Sequence, residues 1–93
     1  MDQQQPMQFQ ANEEVMRGRY ANNVMIAFTP EEFILDFMLM SQSANNLVGR
    51  IVLSPGHIKR MADQLQSLIK TYEEQKGPLA PAAEPKEMGF RTS

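Results

Sequence analysis

YANNVMIAFTPEEFILDFMLMSQSANNLVGRIVLSP, Tyr20 to Pro55, sets three apolar runs against two short polar connections. The runs YANNVMIAF, FILDFMLM and LVGRIVL are of strand length and rich in aromatic and branched side chains, which fit a pleated surface. Thr29-Pro30-Glu31-Glu32 joins the first two, with proline holding φ near −65° where a turn needs it, and the polar loop Ser41 to Asn46 joins the second to the third. Connections this short allow only antiparallel neighbours, so the three strands form a meander. After Leu53 come Ser54, whose hydroxyl can accept an otherwise unpaired helix amide, and Pro55, suited to the first helical position. Ile58, Met61, Ala62, Leu65, Leu68, Ile69 and Tyr72 then recur at steps of three and one, the stripe of an amphipathic helix. Gly77 and Pro78 stop it behind Lys76. The expected fold is α+β: a three- to four-stranded antiparallel meander followed by one long amphipathic C-terminal helix packed on one sheet face.

The flanks read differently. Residues 1–18 are rich in Gln, Asn and Glu, which bury little area for each residue ordered, and form an arm expected to be mobile or a short edge strand. The strand option comes from Met7, Phe9 and Ala11 alternating with Gln8 and Gln10. Residues 19–77 make the meander-plus-helix domain, and residues 78–93, proline-rich and without periodicity, read as a disordered tail. No internal repeat is visible.

Side chains alternate across a strand, so the turns assign faces. With Phe28 opposite Phe33, one face collects Val24, Ile26, Phe28, Phe33, Leu35, Phe37 and Leu39, continued by Leu47, Gly49, Ile51 and Leu53. No charge falls on it, and Gly49 leaves room for the helix to approach closely. The second face carries Asn23, Met25, Ala27, Ile34, Asp36, Met38, Met40, Val48, Arg50 and Val52. A wetted sheet face would alternate to Lys, Thr, Glu and Ser, whereas this one is mostly apolar, as contact surfaces are. A hairpin symmetric about Ser43 places Asp36 directly across from Arg50, where cross-strand side chains lie about 5 Å apart. An ion pair that fixes register and partner choice follows, and catalysis by Asp36 lacks a second acid, base or metal beside it. Met25, Ile34, Asp36, Met38, Met40, Val48, Arg50 and Val52 are therefore the expected oligomer or partner face. A helix from Pro55 to Lys76 would run about 33 Å against about 27 Å for an eight-residue strand, so Tyr72 either reaches a neighbouring subunit or caps its own sheet.

Bulk composition narrows the functional classes. The chain has 93 residues, a formal charge of −2, no cysteine and one histidine. Below about 70–80 ordered residues a single core contributes only about 3–5 kcal/mol, so assembly would help this fold. Disulfides and thiolate metal sites are excluded, no metal or cofactor is expected, and no broad basic field attracts nucleic acid. The apolar runs are too short to span a bilayer, and MDQQQPMQFQ lacks both the basic head and the apolar core of a signal segment, so a cytoplasmic protein is expected.

Two further groups of residues carry polar chemistry. Gly56, His57, Lys59 and Arg60 lie at the helix start, where free amides can receive a phosphate or carboxylate, but no glycine-rich loop accompanies them. They are an anion-site candidate, set against a surface histidine beside a cap and a solvated basic face. Ser54 has no histidine with an acid orienter and is explained as a cap. Of the eight methionines, Met25, Met38 and Met40 fall on the second face, where they serve oligomer packing or a plastic client surface.

The runs YANNVMI and EEFILDF, the segment GRIVLSPGHIKRM and the ending YEEQKG together resemble a small bacterial and archaeal family catalogued as a domain of unknown function, of the DUF3467 type. The resemblance covers about residues 7–77 and rests on Tyr20, Asn22, Phe33, Asp36, Phe37, Arg50, Ser54, Pro55, Lys59, Tyr72 and Glu73. Ile58-Lys59 stands where alanine-lysine is common in the family, a mild departure. The resemblance implies the fold and a cytoplasmic setting, and no activity. The order of three strands and a helix, with an optional leading strand, is also similar to that of the bacterial export chaperone SecB, an analogy of order alone. The expected function is that of a non-enzymatic, homo-oligomeric binding protein, a homodimer in the simplest case. A chaperone-like binder of extended chains, and an anion or nucleic acid binder at the helix start, are the alternatives.

Overall fold

The computed structural model describes residues 7–83; the expectations for residues 1–6 and 84–93 lie outside them. Five elements follow in order: α1 (Glu13–Arg17), β1 (Asn23–Phe28), β2 (Phe33–Met40), β3 (Asn45–Leu53) and α2 (Pro55–Lys76). The chain divides after Ile58 into two compact units, one holding the sheet with the first residues of α2, the other the remainder of α2.

The sheet is an antiparallel meander with order β1-β2-β3. Its first turn is closed by the Thr29 amide donating to the Glu32 carbonyl at 2.9 Å, while Thr29 Oγ1 accepts from the amides of Glu31 and Glu32. The hydroxyl ties down the two amides that Pro30 leads into the turn. Phe28 and Phe33 are opposite one another as expected, their rings stacked with centroids 5.5 Å apart. The second turn uses Ser41, whose amide and hydroxyl both donate to the Ala44 carbonyl at 3.0 and 2.8 Å, while the hydroxyl accepts from the Ala44 amide.

The β2–β3 register differs from the symmetric hairpin at one point. Phe37 pairs with Gly49 but Met38 pairs with Leu47, a bulge that leaves Val48 as the extra residue. One inserted residue reverses the alternation beyond it. Leu47, expected beside Leu39 on the first face, is instead across from Met38, and Leu39 is across from Asn46.

Of the two alternatives for the arm, a mobile segment or a short edge strand, no strand forms at Met7 to Ala11, and among the described residues the sheet has three strands. One turn of helix follows instead. Asn12 Oδ1 accepts from the Val15 amide at 2.8 Å, Glu13 and Glu14 sit at the positive end of the helix dipole, and Gly18 at φ 74° ends the turn. The cap of α1 needs only its own next three residues, whereas a strand here would have to be ordered along a distant edge.

Burial is concentrated on the middle strand, where Leu35, Asp36 and Met38 are buried. On the first sheet face Ile26, Phe28 and Ile51 are exposed at 58%, 73% and 52%. In α2 the stripe residues Leu65, Leu68, Ile69 and Tyr72 are exposed as well. The helix itself spans the expected residues. The Ile58 amide donates to the Ser54 carbonyl at 3.0 Å, Pro55 begins the first turn, and Gly77 at φ 100° ends the last.

Candidate functional site

The second sheet face is built from cross-strand rows. Met25, Asp36 and Arg50 form the central row, Ala27, Ile34 and Val52 the row on one side, and Asn23, Met38 and Leu47 the row on the other. Seven of the expected face residues thus come from three strands to one surface: Met25, Ile34, Asp36, Met38, Met40, Arg50 and Val52. Val48 is the bulge residue, partly buried. Tyr72 belongs to the second unit, where it is exposed.

Asp36 and Arg50 make a two-pronged pair. Arg50 Nε donates to Asp36 Oδ1 at 2.6 Å and Arg50 Nη2 to Asp36 Oδ2 at 2.9 Å. Planar guanidinium and carboxylate groups match in this fork, which adds direction to charge. The two ends differ in environment: the Asp36 side chain is 9% exposed and that of Arg50 56%. The guanidinium therefore remains hydrated on one side while its other edge satisfies a nearly buried carboxylate, whose neighbours in the rows are Met25, Ile34 and Met38. The Arg50 hydrogen bonds hold the Asp36 carboxyl below its ordinary value of 3.8, against an opposing push from burial, and the guanidinium charge acts in the same direction as its hydrogen bonds. Arg50 is raised in turn, first by the bond to Asp36 and then by its charge. Every side-chain polar atom buried among the described residues has a partner. The fork leaves Asp36 as a charged acceptor with both oxygens engaged, poorly placed to take a proton from a substrate.

Asn22, one of the positions that carry the family resemblance, holds the neighbouring corner. Its Oδ1 accepts from the Met40 amide and its Nδ2 donates to the Met40 carbonyl, each at 2.8 Å. The side-chain amide thus imitates one more residue of the β1–β2 ladder. Asn23 supports it through Nδ2 to Met40 Sδ at 3.4 Å. The visible signal was the pair Asn22-Asn23 directly before a strand, since a carboxamide carries the same donor and acceptor as a peptide group.

The helix start is occupied by its own contacts. Ser54 Oγ and His57 Nδ1 are 2.9 Å apart, and the His57 amide donates to Ser54 Oγ at 3.4 Å. Lys59 pairs with Asp63 at 3.5 Å. Gly56, His57, Lys59 and Arg60 are all exposed, but the hydroxyl takes the place an anion would occupy at the His57 amide, and Asp63 offsets Lys59. At the other end Glu73 accepts from the Leu79 amide at 2.9 Å, folding the chain back past Gly77. Among the described residues no group of three or more metal-ligating side chains converges, and no helix is long and apolar enough to cross a membrane.

A family model described as Protein of unknown function (DUF3467) matches residues 1–81. The chain belongs to the DUF3467 family. No curated protein and no solved structure matches it. Of the residues that carry the family resemblance, Asn22, Asp36, Arg50, Ser54 and Glu73 each hold a side-chain hydrogen bond described above. In this chain those family positions fasten a strand end, a strand pair and both ends of α2.

Proposed function

We propose that this chain is a non-enzymatic, homo-oligomeric binding protein of the cytoplasm, with a dimer as its smallest working form. One observation carries the reading: apolar side chains stand open on three surfaces. Ile26, Phe28 and Ile51 are exposed on the first sheet face, Leu47 and Val52 on the second, and Leu65, Leu68, Ile69 and Tyr72 along α2. An amphipathic helix can cover one sheet face; the remaining face needs another molecule, because contiguous apolar surface left in water is unfavourable by roughly 25 cal/mol per Å². The Asp36–Arg50 fork at the centre of that face supports register and partner selection, since misaligned copies would desolvate the charges without matching them.

Native mass spectrometry and light scattering at micromolar concentration test this, with a dimer or a multiple of it expected and a strict monomer overturning it. Val52→Lys is expected to shift the assembly toward smaller species without unfolding it, because Val52 is about half exposed within its own sheet. A second reading, capture of extended chains, draws on the open side chains Met7, Phe9, Val15, Met16 and Tyr20 before the sheet. It requires the native protein to take up a hydrophobic dye, and a dye-silent oligomer removes it.

A further inference from the structure

The two edges of the sheet differ in how they are guarded. Unpaired strand edges invite further strands, and proteins that must stay apart place bulges, charges, glycine or proline there. The β3 edge has a bulge at Val48, then Gly49 and the charged Arg50. The β1 edge, Asn23–Phe28, has none of these: its sequence NVMIAF carries no charge, glycine or proline, and its register with β2 is unbroken from Asn23–Met38 to Phe28–Phe33.

The turn fixes which of its backbone groups face outward. Thr29 donates to Glu32, and bonded pairs alternate along an antiparallel ladder, so Ala27 and Met25 direct their amides and carbonyls to β2. Val24, Ile26 and Phe28 direct theirs away from the sheet. The Val24 amide fits this assignment, as it is taken by the Asn23 side chain at 2.8 Å. Among the described residues the Ile26 and Phe28 amides then meet no acceptor, in a segment whose side chains are 58% and 73% exposed.

We infer that the free edge of β1 is a pairing edge for β1 of a second copy, running antiparallel about a two-fold axis near Ile26 and joining two sheets into one of six strands. Antiparallel self-pairing sets each residue against another residue of the same strand, so an edge bearing one sign of charge would repel itself; the uncharged NVMIAF places Val24 against Phe28, Met25 against Ala27 and Ile26 against its own counterpart. The inference rests on the homo-oligomer reading and adds a contact along the sheet, distinct from any contact on its second face.

Hydrogen exchange of the full chain, followed from dilute to concentrated protein, reads the edge directly. The Ile26 and Phe28 amides are expected to slow by about tenfold or more as the protein assembles. Ile26→Pro, which removes an amide that β2 does not use, should reduce the assembly size and abolish the protection at Phe28, whereas Ile26→Ala should keep that protection. An oligomer whose Ile26 and Phe28 amides exchange freely at every concentration overturns the edge contact while the oligomer reading stands. Protection that does not change with concentration also overturns it, pointing to pairing within one chain, for which Met7 to Ala11 is the available segment. A strict monomer overturns both.

Discussion

At Asp36 a carboxylate sits in an otherwise apolar run because a guanidinium is held across from it. A group whose folded pKa is lowered contributes stability above its unfolded pKa and loses that contribution as pH falls through the folded value. For Asp36 the contribution is therefore complete at neutral pH and fades below about pH 4, where the unfolded carboxyl begins to take up protons. Arg50 is shifted upward, so its contribution is present throughout the range below its own very basic titration and sets no second limit near neutrality. Denaturation midpoints measured from pH 7 to pH 2 should fall for the parent and fall less steeply for Asp36→Asn, which starts less stable; parallel curves would show that the fork does not couple to proton binding. Asn22 makes a sharper residue-scale case, because two 2.8 Å hydrogen bonds meet on one side chain. Asn22→Ala is expected to cost about 1–3 kcal/mol in chemical denaturation, from two hydrogen bonds at about 0.5–1.5 kcal/mol each. Asn22→Asp should not restore the loss, since a carboxylate would face the Met40 carbonyl without a donor.

At the level of elements, the strands and α2 were legible because their determinants are local. Alternation gives the strands, Thr29-Pro30 and Ser41 give the turns, and Ser54-Pro55 and Gly77-Pro78 bracket the helix at Pro55–Lys76. The Asp36–Arg50 pair was legible too, because the residues that set its register lie on the same hairpin. The bulge at Val48 was not: LVGRIVL has the same composition with or without an inserted residue, and a strand glycine is equally consistent with a bulge and with a close helix approach. In the structure no atom lies within 4 Å of a side-chain carbon built at Gly49, so the glycine relieves no contact within the described residues. The α1 turn was hidden for another reason. Asn12, Glu13 and Gly18 are capping signals, but five residues are too few to show a 3.6 period, and the alternation at Met7 to Ala11 was the louder pattern. The cap of α2 can be tested alone. Ser54→Ala removes the acceptor of the His57 amide and the partner of the His57 ring, and is expected to cost about 1 kcal/mol, whereas Ser54→Asp, also a capping residue, should retain most of the stability. Calorimetry on the three proteins decides it, with equal melting temperatures for Ser54→Ala and the parent standing against a role for the cap.

At the scale of the molecule the controlling fact is how few apolar side chains the sheet unit buries within itself. Leu35 and Met38 are the buried apolar residues of the described chain, and a core of that size stands far below what a domain of ordinary stability rests on. Folding and assembly should then be one equilibrium, as they are for dimers whose separate subunits have little stability of their own. Mass action gives the signature. If two unfolded chains combine into a folded dimer, each tenfold rise in protein concentration adds about 1.4 kcal/mol to the stability of the dimer and raises the melting temperature, whereas a folded monomer melts at one temperature at every concentration. Melting curves recorded over a hundredfold range of concentration are expected to shift upward steadily for the parent. Val52→Lys should melt lower at every concentration, because a buried interface would then have to desolvate an ammonium group. A melting temperature independent of concentration, in a protein that nonetheless unfolds cooperatively, would mean that the open surfaces on sheet and helix are satisfied within a single chain.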